Sequence, residues 1–242
     1  MTTVVNRFDG ISNGTTITTA NSGGTSGDAL DTAPIGSGGA IVADNVHVAH
    51  GAEACKITGG ATAAATYFGY TSTGAIGSVA THYFRFYFYA TANPSSATIR
   101  LYVCSNAAGN LCIISMGVGG VTSMSYGVSN TAAFSTPVIS LNTLYRYEGF
   151  CTVSATVGAV GLATYLGDSL VPVTSPAPLT GLNVGSSNPL TYAWGNFPGI
   201  ANYGTYWFDD VGISSDSPLG PAMRQFSGAD NVRQAVNRAS VW

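Results

Sequence analysis

Charge is what this 242-residue sequence has least of: Asp, Glu, Lys and Arg make up 8% of it, with Lys56 the single lysine and Glu53 and Glu148 the two glutamates. Lys and Glu are the residues that usually cover helix surfaces, so their scarcity argues against long amphipathic helices. The eight basic residues form no cluster and the net charge is −3, which leaves no electrostatic footprint for DNA or RNA. No apolar run approaches the roughly 18 residues that span a bilayer, so no membrane association is expected. The opening MTTVVNRFDG lacks a basic segment followed by an apolar one, so no Sec signal peptide is expected and synthesis is assigned to the cytoplasm. Cysteine is sparse: Cys55, Cys104, Cys112 and Cys151 show no CxxC spacing and no histidine at zinc-ligand distance, so neither a metal site nor a cofactor is expected. So few surface charges suit a subunit covered by neighbours better than a free monomer.

What remains is apolar, aromatic and glycine-rich, with 45% hydrophobic residues, 11% aromatic residues and 31 glycines. That is enough to bury a substantial core and argues against disorder. The length suits one large β-domain. Residues 13–39, dominated by Gly, Ser, Thr and Ala, read as an irregular arm with short strands. In Thr81 to Ala90, THYFRFYFYA, Phe84, Phe86 and Phe88 alternate with Tyr83, Arg85, Tyr87 and Tyr89, and the Phe face is expected to be core. A hairpin from Ala97 to Gly117, centred near Ala108, places Ile99, Leu101, Val103, Leu111 and Ile113 on one face. The same register sets Cys104 opposite Cys112, either as a cross-strand disulfide or as two reduced thiols. Two more strands follow in ISLNTLYRYEGFCTVSA and GAVGLATYLGDSL; Pro172, Pro176 and Pro178 then mark a loop or edge, and a further short strand or two falls within 183–198.

The segment Tyr206-Trp207-Phe208-Asp209-Asp210-Val211-Gly212-Ile213-Ser214 resembles the closing strand of a concanavalin A-like jelly roll. The run Leu-x-x-x-Tyr-Arg-Tyr-Glu at 141–148, followed by a strand ending Gly167-Asp168-Ser169, is similar to the middle of lectin-like jelly rolls carried by virion proteins of actinobacterial tailed phages. The fold implied is all-β: a two-sheet antiparallel jelly-roll β-sandwich over 1–214, with an irregular N-terminal arm and a C-terminal arm over 215–242 containing a short helix from Ala229 to about Ala239. The function implied is that of a non-enzymatic virion structural protein, foremost a capsid decoration protein, in contact with major capsid or tail protein and forming a homo-oligomer, with a trimer the natural arrangement. The alternative is a carbohydrate-binding module or minor tail protein that attaches the particle to host-surface glycans.

The residues offer limited chemistry. Glycosidases of this fold carry paired carboxylates in a Glu-x-Asp-x-x-Glu or similar spacing, which is missing, and Glu148 lies two residues from Arg146 as an ion-pair partner. His47, His50 and His82 stand in no nucleophile motif and read as surface or edge histidines. Asp209, on the face of Trp207, Val211 and Ile213, is expected to accept hydrogen bonds from loop backbone rather than bind metal. Tyr83, Arg85, Tyr87 and Tyr89 line up with Arg100 and Tyr102 if their strands are neighbours. That face reads as a subunit interface, as a layer covered by the protein's own loops, or as a glycan platform. In the C-terminal arm, Arg224, Phe226, Arg233, Arg238 and Trp242 are the expected contacts to a neighbouring subunit.

Overall fold

The computed structural model describes residues 2–60, 64–95, 97–196 and 204–222, which form strands and connections and contain no helix. In chain order the strands are β1 (Thr3–Asn6), β2 (Ala40–Asp44), β3 (Ala54–Thr58), β4 (Thr66–Thr71), β5 (Thr81–Ala90), β6 (Ile99–Asn106) and β7 (Gly109–Met116). Then come β8 (Val121–Tyr126), β9 (Thr131–Val138), β10 (Tyr145–Thr152), β11 (Gly158–Leu166), β12 (Leu179–Leu182), β13 (Thr191–Asn196) and β14 (Thr205–Ser214). They make two antiparallel sheets. One has the order β12-β11-β10-β5-β14-β3-β2, with β1 also paired to β14; the other runs β4-β13-β6-β7-β8-β9. Early strands pair with late ones in both sheets, β5 with β14 and β4 with β13, which is the wrapping of a jelly roll. The expected two-sheet sandwich is therefore the fold.

The core lies between the sheets and is largely aromatic. Phe84, Phe86 and Phe88 point inward from β5, as their alternation requires, and are fully buried. Phe84 stacks on Tyr102 of the opposite sheet at 4.4 Å between ring centres, and Phe86 stacks on Tyr147 at 5.0 Å. Burial of each such ring is worth about 1.5–3 kcal/mol. This layer is what fixes the outer face of the eight-stranded sheet, because it turns Tyr83, Arg85, Tyr87 and Tyr89 the other way.

Register shifts in the β6–β7 hairpin and in β14 change which residues face inward. In the β6–β7 hairpin the register shifts between Arg100 and Tyr102 and again between Cys104 and Ser105, so Leu101, Tyr102 and Cys104 join the core with Leu111, Cys112 and Ile114. Val103 and Ile113 are buried but stand outside that core, so the single face expected from strict alternation is divided. In β14 the register shifts between Asp209 and Gly212, and Asp210 at φ 45° sits inside the shift. Trp207 and Asp209 consequently face outward, whereas Val211 and Ile213 pack in the core, correcting the common face assigned to the four.

The arm over 13–39 has no strand of its own, only isolated bridges such as Thr16 to Val42 and Thr32 to Gly69. It is held by polar contacts: the buried Asn6 side chain donates to the Ser22 carbonyl (2.7 Å) and the Asp28 carbonyl (2.8 Å). At the other end, residues 215–222 return onto the sheet instead of leaving it. Ser215 N–H donates to the Thr2 carbonyl (2.9 Å), and Ala222 is buried against Tyr87. Arg224, Phe226, Arg233, Arg238, Trp242 and the helix expected over 229–239 lie outside the described residues.

Candidate functional site

The outer face of the eight-stranded sheet carries a groove and, beside it, a buried polar network. The groove has a volume of about 190 Å³. Its floor includes Glu148, Phe150 and Tyr165 on β10 and β11 with Tyr83 on β5, and its walls are Pro176 and Pro178 on one side and Pro218 and Leu219 on the other. Phe150 can lie flat because Gly161 stands beneath it: a Cβ there would sit 2.3 Å from the Phe150 ring. The volume is below the ~300–1,000 Å³ of pockets that engulf drug-sized molecules, so the groove suits a single ring or a short chain.

Arg146 organises the floor. Its side chain is 1% exposed; Nε donates to Glu148 Oε1 (2.6 Å), Nη1 to the Gly167 carbonyl (2.6 Å) and Nη2 to the Ser169 carbonyl (2.9 Å). The guanidinium also lies 4.2 Å from the Tyr165 ring centre. The Glu148–Arg146 pairing is the one expected from their positions on one strand face. By gripping two carbonyls, Arg146 also sets the loop that carries Asp168.

Asp168 leads into the network. Tyr87 Oη donates to Asp168 Oδ1 (2.7 Å) and accepts from the Ala222 N–H (3.1 Å). Burial, then the bond to Asp168, push the Tyr87 hydroxyl pKa up, so it stays a donor. His50 Nε2 is 3.0 Å from the Asp168 carboxylate, and its Nδ1 is bonded to Asp210. Arg7 Nε is 3.4 Å from Asp210 Oδ1, and Arg85 Nε donates to the Asp210 carbonyl (3.1 Å). Asp209 Oδ2 accepts from the backbone N–H groups of Ala49 (2.8 Å) and His50 (3.1 Å), the loop-backbone task expected of it. Burial, then the adjacent Asp210, push the Asp209 carboxyl pKa well up. Among the described residues no group of three His, Cys, Asp or Glu is placed to hold a metal ion.

The six residues expected on one Tyr/Arg face are not together. Arg100 and Tyr102 belong to β6 in the opposite sheet, and the bulge turns Tyr102 into the core. Of the four on β5, Tyr87 and Arg85 are buried beneath the protein's own segments, with Arg85 Nη1 donating to the Gly220 carbonyl (3.1 Å). Tyr89 is stacked on His47 at 3.9 Å, and only Tyr83 lines the groove. The open platform is thus mostly roofed. Cys104 and Cys112 do pair in register, and both are free thiols.

Sequence reasoning missed His50, Asp168 and Asp210 as one cluster. His50 reads from the sequence as a surface or edge histidine in no nucleophile motif, yet it meets partners 118 and 160 residues away, which no local pattern encodes. The available signal was the Asp209-Asp210 pair inside a hydrophobic strand, since buried carboxylates require partners.

No protein-family model matches the chain, and no curated protein sequence matches it. Similar solved structures share its fold at low identity. A cellulose-induced protein, Cip1, is 19% identical, with a TM-score of 0.52 over 80% of this chain and 94% of its own. A Trypanosoma rangeli sialidase in complex with 2,3-difluorosialic acid, a covalent intermediate, is 11% identical, with a TM-score of 0.51 over 98% of this chain. This chain spans 33% of that sialidase. The catalytic domain of a glycoside hydrolase family 131 protein from Coprinopsis cinerea is 15% identical, with a TM-score of 0.49 over 91% of this chain and 98% of its own. The expectation of a protein that is not an enzyme is corrected here. It rested on the missing carboxylate spacing of one jelly-roll glucanase pattern, and this sandwich also occurs in a sialidase, so that absence excludes nothing.

Proposed function

We propose that this protein recognises a glycan in the groove formed by Tyr83, Glu148, Phe150 and Tyr165. The observation that carries the reading is the lining itself: flat aromatic and proline surfaces around one carboxylate whose second oxygen is left for sugar hydroxyls. Apolar ring faces stack on aromatics, while a few polar atoms fix orientation. The loops forming the walls are held by Arg146, His50 and Tyr87, so the groove is preorganised and binding costs little ordering. Likeness of fold to carbohydrate-related proteins supports the reading without specifying the sugar.

The test is a glycan array followed by calorimetry on any hit, with Tyr83→Ala and Glu148→Gln as variants. Binding that weakens at least tenfold in both variants is expected. Absence of binding to any glycan at millimolar concentration overturns the proposal. The same incubations, followed for new reducing ends, read whether the bound glycan is cut.

A second reading, a tailed-phage decoration or tail subunit held by contacts between chains, rests on a surface strip. Leu166, Leu170, Val171 and Val173 are exposed within eight residues, Leu170 at 79% and Val171 at 75%. Apolar side chains so placed favour an interface. Light scattering that gives a closed oligomer, reduced to monomer by Leu170→Asp with Val171→Asp, is the expected result under this reading. A monomer at all concentrations removes it.

A further inference from the structure

The two ends of the β6–β7 hairpin differ in what they place inside the sandwich. Near the turn, three cysteines meet between the sheets. Cys104 on β6 pairs in register with Cys112 on β7 and also with Tyr192 on β13. Across the core, Cys151 on β10 pairs with His82 on β5. The two sheets touch at this level, because the His82 and Tyr192 rings are 4.9 Å apart at 74°. Cys151, beside His82, therefore faces the strand neighbours of Tyr192: β5 lies over β6, where Phe84 stacks on Tyr102, and β10 reaches β8, where Tyr147 Oη is 3.3 Å from Thr122 Oγ1, which sets Cys151 of β10 on the side of Cys112 of β7, the strand between β6 and β8. All three cysteines are buried and reduced, and the fourth, Cys55, lies on β3 outside this layer.

We infer that Cys112 and Cys151 are a disulfide-forming pair that joins the two sheets when the chain folds under oxidising conditions. The favoured partner of Cys112 is not Cys104, its neighbour on the next strand. A link to Cys104 would close a hairpin that the turn at Ala107 and Ala108 already closes, whereas a link to Cys151 closes a loop running through β8, β9 and β10 and constrains the unfolded chain far more. It also spans from one sheet to the other, which hydrogen bonding between strands does not do.

The chemistry balances with a small-molecule disulfide as oxidant. The thiolate of one cysteine attacks oxidised glutathione, forming a mixed disulfide and releasing one glutathione thiolate. The second cysteine's thiolate then attacks the protein sulfur of that mixed disulfide and releases the second glutathione. The protein loses two protons and two electrons, and two glutathione thiols are formed. Because the thiols are inaccessible in the closed sandwich, the exchange belongs to folding, before the sheets meet. Once enclosed, the bond is shielded from reductant.

The experiment is to unfold the full chain in reductant and refold it in a glutathione redox buffer, then in dithiothreitol as reference. Intact mass, alkylation in denaturant and peptide mapping follow. In the glutathione sample the chain is expected to lose two hydrogens, to leave Cys55 and Cys104 alkylatable, and to yield one linked peptide pair containing Cys112 and Cys151. Cys104→Ala should keep that link, and the linked form should unfold at a higher urea midpoint than the reduced form. Four alkylatable thiols, or a linked pair containing Cys104 and Cys112, overturns the inference. Both readouts on the unsubstituted chain stand even if a variant fails to fold.

Discussion

His50 and Asp210 are 160 residues apart in the chain, yet the imidazole Nδ1 is bonded to a carboxylate with no solvent exposure. The other ring nitrogen faces Asp168, so one side chain joins the 45–53 loop, the bulged closing strand and the loop after β11. Arg7, just after β1, and Arg85 on β5 approach Asp210, which keeps its buried charge compensated.

This bridge makes stability depend on pH. Burial of His50 works against the imidazolium, but the bonds and charges of Asp210 and Asp168 outweigh it and raise its pKa above 6.5. A group with a raised folded pKa contributes stability that is complete below the unfolded value and is lost as pH rises through the folded one. Urea midpoints should therefore fall from pH 6 towards pH 9. Asp209, also raised, acts in the same direction, so the decisive readout is the difference from His50→Gln. That variant should lose about 3 kcal/mol at pH 6 and less at pH 9; an equal loss at both would show that the ring is held neutral.

His82 works in the opposite direction. Neither ring nitrogen has a hydrogen-bond partner among the described residues, and burial lowers its pKa to about 3. A depressed folded pKa gives stability that is present above about 6.5 and is lost as pH falls towards 3, at ~1.4 kcal/mol per unit. Asp209 acts the other way over this range, so the decisive readout is again a difference: between pH 6.5 and pH 4 the unsubstituted chain should lose about 3 kcal/mol relative to His82→Leu. A difference between the two that does not change with pH would place a proton acceptor beside the ring.

Much of the fold was legible because alternation is local. Phe84, Phe86 and Phe88 against their tyrosine neighbours identified a core strand, and the turn at Ala108 set Cys104 opposite Cys112. What alternation could not show was where it breaks: the bulges beside Leu101 and at Asp210 each insert one residue, and every face assignment beyond them inverts. Sheet membership was hidden for a related reason. β5 and β6 are consecutive, yet the jelly-roll wrap sends them to opposite sheets, which separated Arg100 and Tyr102 from Tyr87. The site was less legible still, since His50, Asp168 and Asp210 meet only through tertiary closure.

Arg146 should resist conservative replacement. It uses Nε, Nη1 and Nη2 in three directions at once, which a single ammonium cannot reproduce. Arg146→Lys is expected to cost about 3 kcal/mol by leaving Glu148 or the Gly167 and Ser169 carbonyls without a donor. Denaturant unfolding measures the cost, and protease sensitivity of the loop around Ser169 should rise with it. A loss under 1 kcal/mol would mean that the fork is dispensable.

Gly69 tests the packing of the other sheet. A Cβ added there would sit 2.0 Å from the Tyr192 carbonyl oxygen and 2.9 Å from Ala193 Cα, both backbone atoms of the paired strand β13. Neither can rotate aside as a flexible side chain would. Gly69→Ala should therefore cost about 3 kcal/mol or more by forcing β4 away from β13. Gly14 offers the contrast: its added Cβ would meet nothing within 4 Å, but φ is +79°, so Gly14→Ala should cost only the ~1–2 kcal/mol of a left-handed residue. Urea unfolding of the two variants separates steric exclusion from backbone conformation. Equal losses would show that β4 does not lie as close to β13 as the register of Gly69 with Ala193 requires.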